Sequence, residues 1–337
     1  MDQQIIDLYD RFTHGEFNRR DFLDRLAKIA GSSAAALALL PLLTNDYARA
    51  ETVAADDPRL VTNTIYYKAS RSRIAAYMAR PNDKNTVPSL IVVHENRGLN
   101  PHIKDIARRL ALEGFATYAV DLLSPLGGTP ADEDKARDLI GKLDPAETAE
   151  HIASLVPILA GSPGSNGKVG AIGFCWGGGM VNRLAVLSPE LKAGVVYYGQ
   201  QPPAAQVPKI KAALLLQYAG LDQRIDAGIP AFENALKANH KQFEIFVYPG
   251  VNHAFNNDTS SRYDNAAADL AWSRSIAFLK RELGWARLLT EPPGQPVCRA
   301  QEPRVVARRA DELQPERQAG LAGQQRQRQS RHAGERP

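Results

Sequence analysis

The chain has 337 residues, 44% of them hydrophobic, enough for an ordinary globular core, and holds no run of 18 or more apolar residues that would read as a membrane span. Its net charge of +4 sits entirely in residues 287–337, where ten Arg face six acidic residues. The remainder is neutral, so composition gives no reason to expect a nucleic-acid partner. The two cysteines, Cys175 and Cys298, have no metal-ligand spacing and cannot form a disulfide framework.

Residues 1–50 read as an address. Asn18-Arg19-Arg20-Asp21-Phe22-Leu23 resembles the twin-arginine export motif, an apolar stretch follows from Gly31 to Leu43, and Ala48-Arg49-Ala50 supplies small residues for a signal peptidase. This order predicts delivery to a bacterial periplasm without stable membrane insertion. The other reading is an amphipathic helix, with Phe22, Leu26 and Ile29 on one face, docked on the domain of a cytoplasmic protein. At the far end, residues 287–337 are rich in Arg, Gln, Pro and Gly, lack aromatic residues and show no apolar periodicity. Such a segment buries too little surface to offset ordering entropy and is expected to be a disordered tail, Cys298 included.

Between them, residues 51–286 have the size of one domain. Strand-like runs fall at 61–67, 73–80, 89–94, 116–120, 169–173, 194–198, 213–218 and 243–248. Several are continuously apolar, as parallel strands covered on both faces must be. Helical patterns fill most gaps, at 103–113, 132–143, 146–159, 178–187, 225–239 and 263–283. The pattern predicts an α/β fold: a mostly parallel eight-stranded sheet flanked by helices in a single domain.

In such a sheet the site forms past the carboxyl ends of the strands. The third strand ends in His94-Glu95-Asn96-Arg97-Gly98. The fifth runs into Gly173-Phe174-Cys175-Trp176-Gly177 and then directly into a helix. A strand reversing into a helix at one residue strains that residue, and its neighbours two before and two after must be tiny. This is the nucleophile-elbow pattern with sulfur in place of the serine oxygen, and the helix N-terminus favours a thiolate. The alternative is a small buried cysteine in a glycine-rich turn. Asp222 follows the seventh strand and His253 the eighth, giving the chain order nucleophile, acid, base. Asp222 also fits a plain helix cap three residues before Ile225. The other histidines fit worse: His14 lies in the export region, His102 and His151 on or beside helices, His240 before a strand and His332 in the tail.

Together Glu95, the Cys175 pentapeptide, Asp222 and His253-Ala254-Phe255 resemble the dienelactone hydrolase family over about residues 60–285. The resemblance implies an α/β-hydrolase fold and a Cys175-His253-Asp222 triad free of metal or organic cofactor. It implies that Glu95 holds the resting thiol and then swings away, and that the backbone N–H groups of Trp176 and Asn96 form an oxyanion hole. The alternative for Glu95 is a surface carboxylate paired with Arg97. Dienelactone-cleaving members carry an arginine four residues after the catalytic histidine to grip a substrate carboxylate. Position 257 here is Asn, with Arg97 and Arg262 as candidate substitutes. Independently, thiolate leaves a tetrahedral intermediate more readily than alkoxide or amide nitrogen does. A sulfur nucleophile therefore suits substrates with good leaving groups, which points to a small-molecule activated ester or lactone. A catalytically silent fold serving as a binding or scaffold module is the alternative function. A thiol redox protein is disfavoured because the domain offers no second cysteine. Oligomeric state is not legible.

Overall fold

The computed structural model describes residues 2–47, 50–83 and 85–284, so the tail at 287–337 and Cys298 lie outside the described residues. The first three helices are α1 (Gln3–Thr13), α2 (Arg19–Ala30) and α3 (Ser33–Leu43). Each opens on a side-chain cap, from Asp2, Asn18 and Ser32, that accepts an otherwise orphaned backbone N–H. Gly31, at φ 83°, ends α2, and α3 departs at 110°. Among the described residues no single helix is long and apolar enough to cross a membrane, although α2 and α3 pass that test as a bent pair.

The three helices share a cluster of Leu8, Tyr9, Phe12, Phe22, Leu26 and Leu43, in which Phe12 stacks on Phe22 at 4.5 Å. They also dock on the domain. Arg262 reaches Asp10 of α1 (2.8 Å), the Asp46 N–H donates to the Thr259 carbonyl (2.8 Å), and Asn100 donates to the Tyr47 hydroxyl (2.9 Å). The residues resembling an export motif therefore form the cap and first turns of a docked helix. Phe22 and Leu26 are buried as the amphipathic reading expects, whereas Ile29 is exposed.

All eight expected strands are present: β1 (Leu60–Ala69), β2 (Ser72–Pro81), β3 (Val87–Val93), β4 (Ala116–Asp121), β5 (Ser165–Phe174), β6 (Ala193–Tyr197), β7 (Ala213–Ala219) and β8 (Phe243–Tyr248). They form one sheet in the order β1-β2-β4-β3-β5-β6-β7-β8. β2 is antiparallel to both neighbours, and the remaining pairs are parallel. The other helices are α4 (Pro101–Leu112), α5 (Glu133–Ile140), α6 (Pro145–Ala153), α7 (Leu155–Ala160), α8 (Trp176–Leu187), α9 (Gln223–Asp226), α10 (Ile229–Ala238) and α11 (Asn265–Glu282). Side chains alternate across the sheet. Leu90 and Val92 of β3 pack with Ile106 of α4 and Leu279 of α11, while Ile91 and Val93 pack with Val181 of α8 and Leu236 of α10.

Two helices expected as single units are divided, for one shared reason. Proline lacks an N–H and its ring collides with the carbonyl four residues back. Pro157 therefore ends α6 at Ala153, and Pro230 ends α9 at Asp226.

The tightest point of the fold is the passage from β5 to α8, where Cys175 adopts φ 55°, ψ −120°. A β-carbon on Gly173 would stand 2.3 Å from the Gly177 carbonyl oxygen, and one on Gly177 would stand 2.3 Å from that of His94. Both collisions are with backbone, which cannot rotate away. Gly177→Ala is therefore expected to destabilise the fold by about 2–3 kcal/mol, the scale of overpacking a closed site. Urea denaturation measures this directly, and an unchanged midpoint would contradict it.

Candidate active site

Because β3 to β8 run parallel, the segments after β3, β5, β6, β7 and β8 converge at one edge of the sheet, bringing Glu95, Cys175, Tyr198, Asp222 and His253 there. Cys175 is buried at the N-cap of α8, and its backbone N–H is fixed to the Tyr197 carbonyl (3.0 Å). Strain gathers around it. Tyr198 (φ 38°) and Ala254 (φ 67°) are also left-handed, leaving Ser70 and His240 as the other non-glycine residues with positive φ among the described residues.

Asp222 makes two contacts at once. One oxygen caps Ile225 N–H (3.3 Å), and the other accepts the His253 Nδ1–H at 2.5 Å. Since a carboxylate can only accept, Nδ1 carries the proton and Nε2 is the atom left to exchange one. That Nε2 is buried with no hydrogen-bond partner among the described residues. Cys175 Sγ and a ring nitrogen of each of His253 and His14 lie within 4.8 Å of one another.

His14 is the unexpected member. Its Nε2 lies 3.4 Å from Cys175 Sγ, and its ring meets that of His253 edge-on at 4.8 Å. His14 Nδ1 donates to the Asp10 carbonyl (2.7 Å) and lies 3.4 Å from the Asp10 carboxylate. Burial pushes the thiol up, but His253 and His14 outweigh it and hold Cys175 down at about 6. Burial likewise opposes charge on His14, yet the sulfur and Asp10 lift that ring to about 9. His253 is raised well above its ordinary value, against burial, by Cys175, Asp10 and Asp222.

Glu95 is buried rather than on the surface, and Arg97 pairs with Asp134 (3.4 Å), not with it. Nor does Glu95 hold the thiol as the family resemblance implies. Its carboxylate accepts from Asn257 Nδ2 (2.8 Å), the residue standing where an arginine was sought, while His14 takes the thiol's hydrogen-bonding direction. Trp176 opens α8, so its N–H has no intrahelical acceptor. Asn96 is anchored through its side-chain amide to the Thr13 carbonyl (2.6 Å). Arg97 and Arg262 both border a small cavity of about 20 Å³ shared with Cys175, but each is already paired with an acid. A larger cavity of about 160 Å³ is lined by Cys175, Trp176, Met180, Tyr198, Arg224 and His253. The Tyr198 hydroxyl is buried without a partner among the described residues.

Asp10, His14, Asn257 and Tyr198 were not singled out by the sequence. For α1 the available signal was the apolar spacing of Ile5, Leu8, Tyr9 and Phe12, which marks a docking face but not what it docks against.

Residues 74–283 match the family model described as the dienelactone hydrolase family, and residues 1–31 match one described as YqhI-like. A protein of Saccharolobus solfataricus named "Putative carboxymethylenebutenolidase" is 33% identical over 256 residues, spanning 64% of this chain and 97% of that protein. One of the same name from Escherichia coli O157:H7 is 31% identical over 240 residues, spanning 67% and 89%. A crystal structure described as "Putative Dienelactone Hydrolase" from Klebsiella pneumoniae is similar with a TM-score of 0.58 at 28% identity, covering 66% of this chain and 99% of that one. With its sheet order, its strained cysteine elbow and these matches, the chain belongs to the dienelactone hydrolase family and has the α/β-hydrolase fold.

Proposed function

We propose that the chain hydrolyses activated carboxylic esters or lactones through Cys175, His253 and Asp222 by way of an acyl-enzyme. The observation that carries this reading is a buried thiol at a strained elbow, held near 6, beside an imidazole whose far nitrogen is fixed by a carboxylate. The thiolate attacks the carbonyl carbon, forming a C–S bond while the carbonyl electron pair moves to oxygen. The backbone N–H groups of Trp176 and Asn96 are assigned to that oxyanion. Collapse expels the enolate or aryloxide, which takes a proton from an imidazolium. Water then attacks the thioester, His253 Nε2 accepts its proton, and the carboxylic acid and thiolate separate. Good leaving groups are required because sulfur otherwise departs first.

Cys175→Ala is expected to abolish turnover of p-nitrophenyl acetate and of an enol lactone, and His253→Ala to lower kcat/KM by about 10²–10⁴-fold. Retained turnover in Cys175→Ala would remove the assignment. Alkylation by iodoacetamide needs the thiolate, so its rate should rise with pH through about 6 and level off above. A midpoint near 8.5, the ordinary thiol range, would favour the silent-scaffold alternative.

For location we propose export by the twin-arginine route, supported by the order of motif, apolar stretch and cleavage triplet. The docking of α1 to α3 favours the alternative, a segment retained in place. Cleavage after Ala50 would remove His14 together with α1. Fractionation should recover the protein from the periplasm, and Arg19→Lys with Arg20→Lys should hold it in the cytoplasm. A full-length chain confined to the cytoplasm would overturn export.

A further inference from the structure

One imidazole beside the sulfur suffices for a cysteine hydrolase, yet two reach Cys175 here, and they are not equivalent. Each has its Nδ1 proton fixed by an acceptor: the Asp222 carboxylate for His253 and the Asp10 carbonyl for His14. Each therefore has Nε2 as the nitrogen left to exchange a proton, although Arg224 Nη2 also approaches that of His14 at 3.0 Å. Only the His14 Nε2 is hydrogen-bonded to the sulfur, at 3.4 Å, while the His253 Nε2 is buried without a partner among the described residues. A second observation ties α1 to the same chemistry. The carbonyl of Thr13, next to His14, accepts from Asn96 Nδ2 at 2.6 Å and so fixes the residue whose backbone N–H is assigned to the oxyanion.

We propose that His14 is a second catalytic imidazole, and that in the resting enzyme it holds a proton at Nε2 in contact with the Cys175 thiolate. This rests on the reading of Cys175 as the nucleophile and on a chain that keeps α1. The step is a single transfer: the S–H bond breaks, the proton moves to His14 Nε2, and a thiolate and an imidazolium remain in contact.

The charges around His14 come from four places. Asp10, on its own helix, lies 3.4 Å from Nδ1 and is held in place by Arg262 at 2.8 Å. The Cys175 sulfur faces Nε2 from the elbow, and His253 and Asp222 approach Asp10 from the loops after β8 and β7. Arg224 of α9 opposes protonation, with Nη2 at 3.0 Å from His14 Nε2. Its side chain is 37% exposed against 16% for Asp10, so solvent screens the guanidinium more than the carboxylate. The thiolate and Asp10 together outweigh it. Asp10 itself is held far below the usual carboxylate range, against burial, by His253, His14 and Arg262, so it stays charged wherever the enzyme works.

The test is the pH dependence of iodoacetamide alkylation in the full chain, comparing wild type with His14→Ala and His14→Asn. The wild-type midpoint should lie near 6. In both variants it should rise by about one pH unit or more, making alkylation roughly fivefold slower at pH 6 and unchanged at pH 10. Hydrolysis of p-nitrophenyl acetate should persist at a reduced rate, with its acid limb displaced by the same interval. A purely structural role for α1 would lower the melting temperature without moving that limb. A second measurement needs no substitution: ¹⁵N-histidine spectra of the wild type should show His14 carrying two ring protons at pH 7. An unmoved alkylation midpoint in a folded His14 variant, or a singly protonated His14 ring at pH 7, overturns the proposal. Either result leaves the nucleophile assignment standing, whereas turnover by Cys175→Ala removes both.

Discussion

The backbone at Cys175 turns from strand to helix within a single residue at the carboxyl edge of the sheet, and the structure is arranged around making that turn possible. Cys175 holds φ 55°, ψ −120° because Gly173 and Gly177 let the start of α8 lie against β5 and the end of β3. The strain is offset by the sheet on both sides, with the Cys175 N–H bonded to Tyr197 and β5 paired along both edges. The same geometry points the first N–H groups of α8 toward the sulfur's surroundings. The position of the proposed nucleophile and that of the assigned oxyanion donor thus share one cause.

Charge around the thiol is arranged in alternation. Asp222 faces His253, Asp10 faces His14, and Arg262 faces Asp10, each at hydrogen-bond or ion-pair distance. Buried charges on this scale are tolerable only when each has a partner of opposite sign, since an unpaired one carries the full desolvation cost. This explains why α1 is more than a cover. Removing it would take away Asp10, leave Arg262 without its carboxylate, and release the Asn96 amide from Thr13. The substrate side is quieter. Arg97 and Arg262 are committed to acids, and the position sought for an arginine holds Asn257 bound to Glu95. The larger cavity is lined by Cys175, Arg224 and Tyr198, whose hydroxyl has no partner among the described residues.

Much of the domain was legible because parallel strands announce themselves. Val87–Val93 and Ala213–Ala219 are buried at every position and carry the apolar runs 90–93 and 213–216, and the candidate site residues follow such strands by geometry. Pro157 and Pro230 divide two helices whose apolar periodicity runs straight through them, and there the proline rule outranks periodicity. His14 was obscured for a different reason. It lies 161 residues from Cys175, on a segment whose composition speaks of export, and only tertiary docking brings it to the sulfur. The Glu95 geometry was hidden in the same way, because its partner Asn257 is 162 residues distant. Local pattern carries no information about such pairings.

The account turns on sulfur being the atom that takes up the acyl group. The most direct measurement is mass spectrometry of the full chain quenched in acid shortly after mixing with p-nitrophenyl acetate, followed by peptide mapping. A single added acetyl group on the peptide containing Cys175, decaying as product forms, is the predicted result. Turnover at full rate with no acetyl on Cys175, or with the label on another residue, would contradict it.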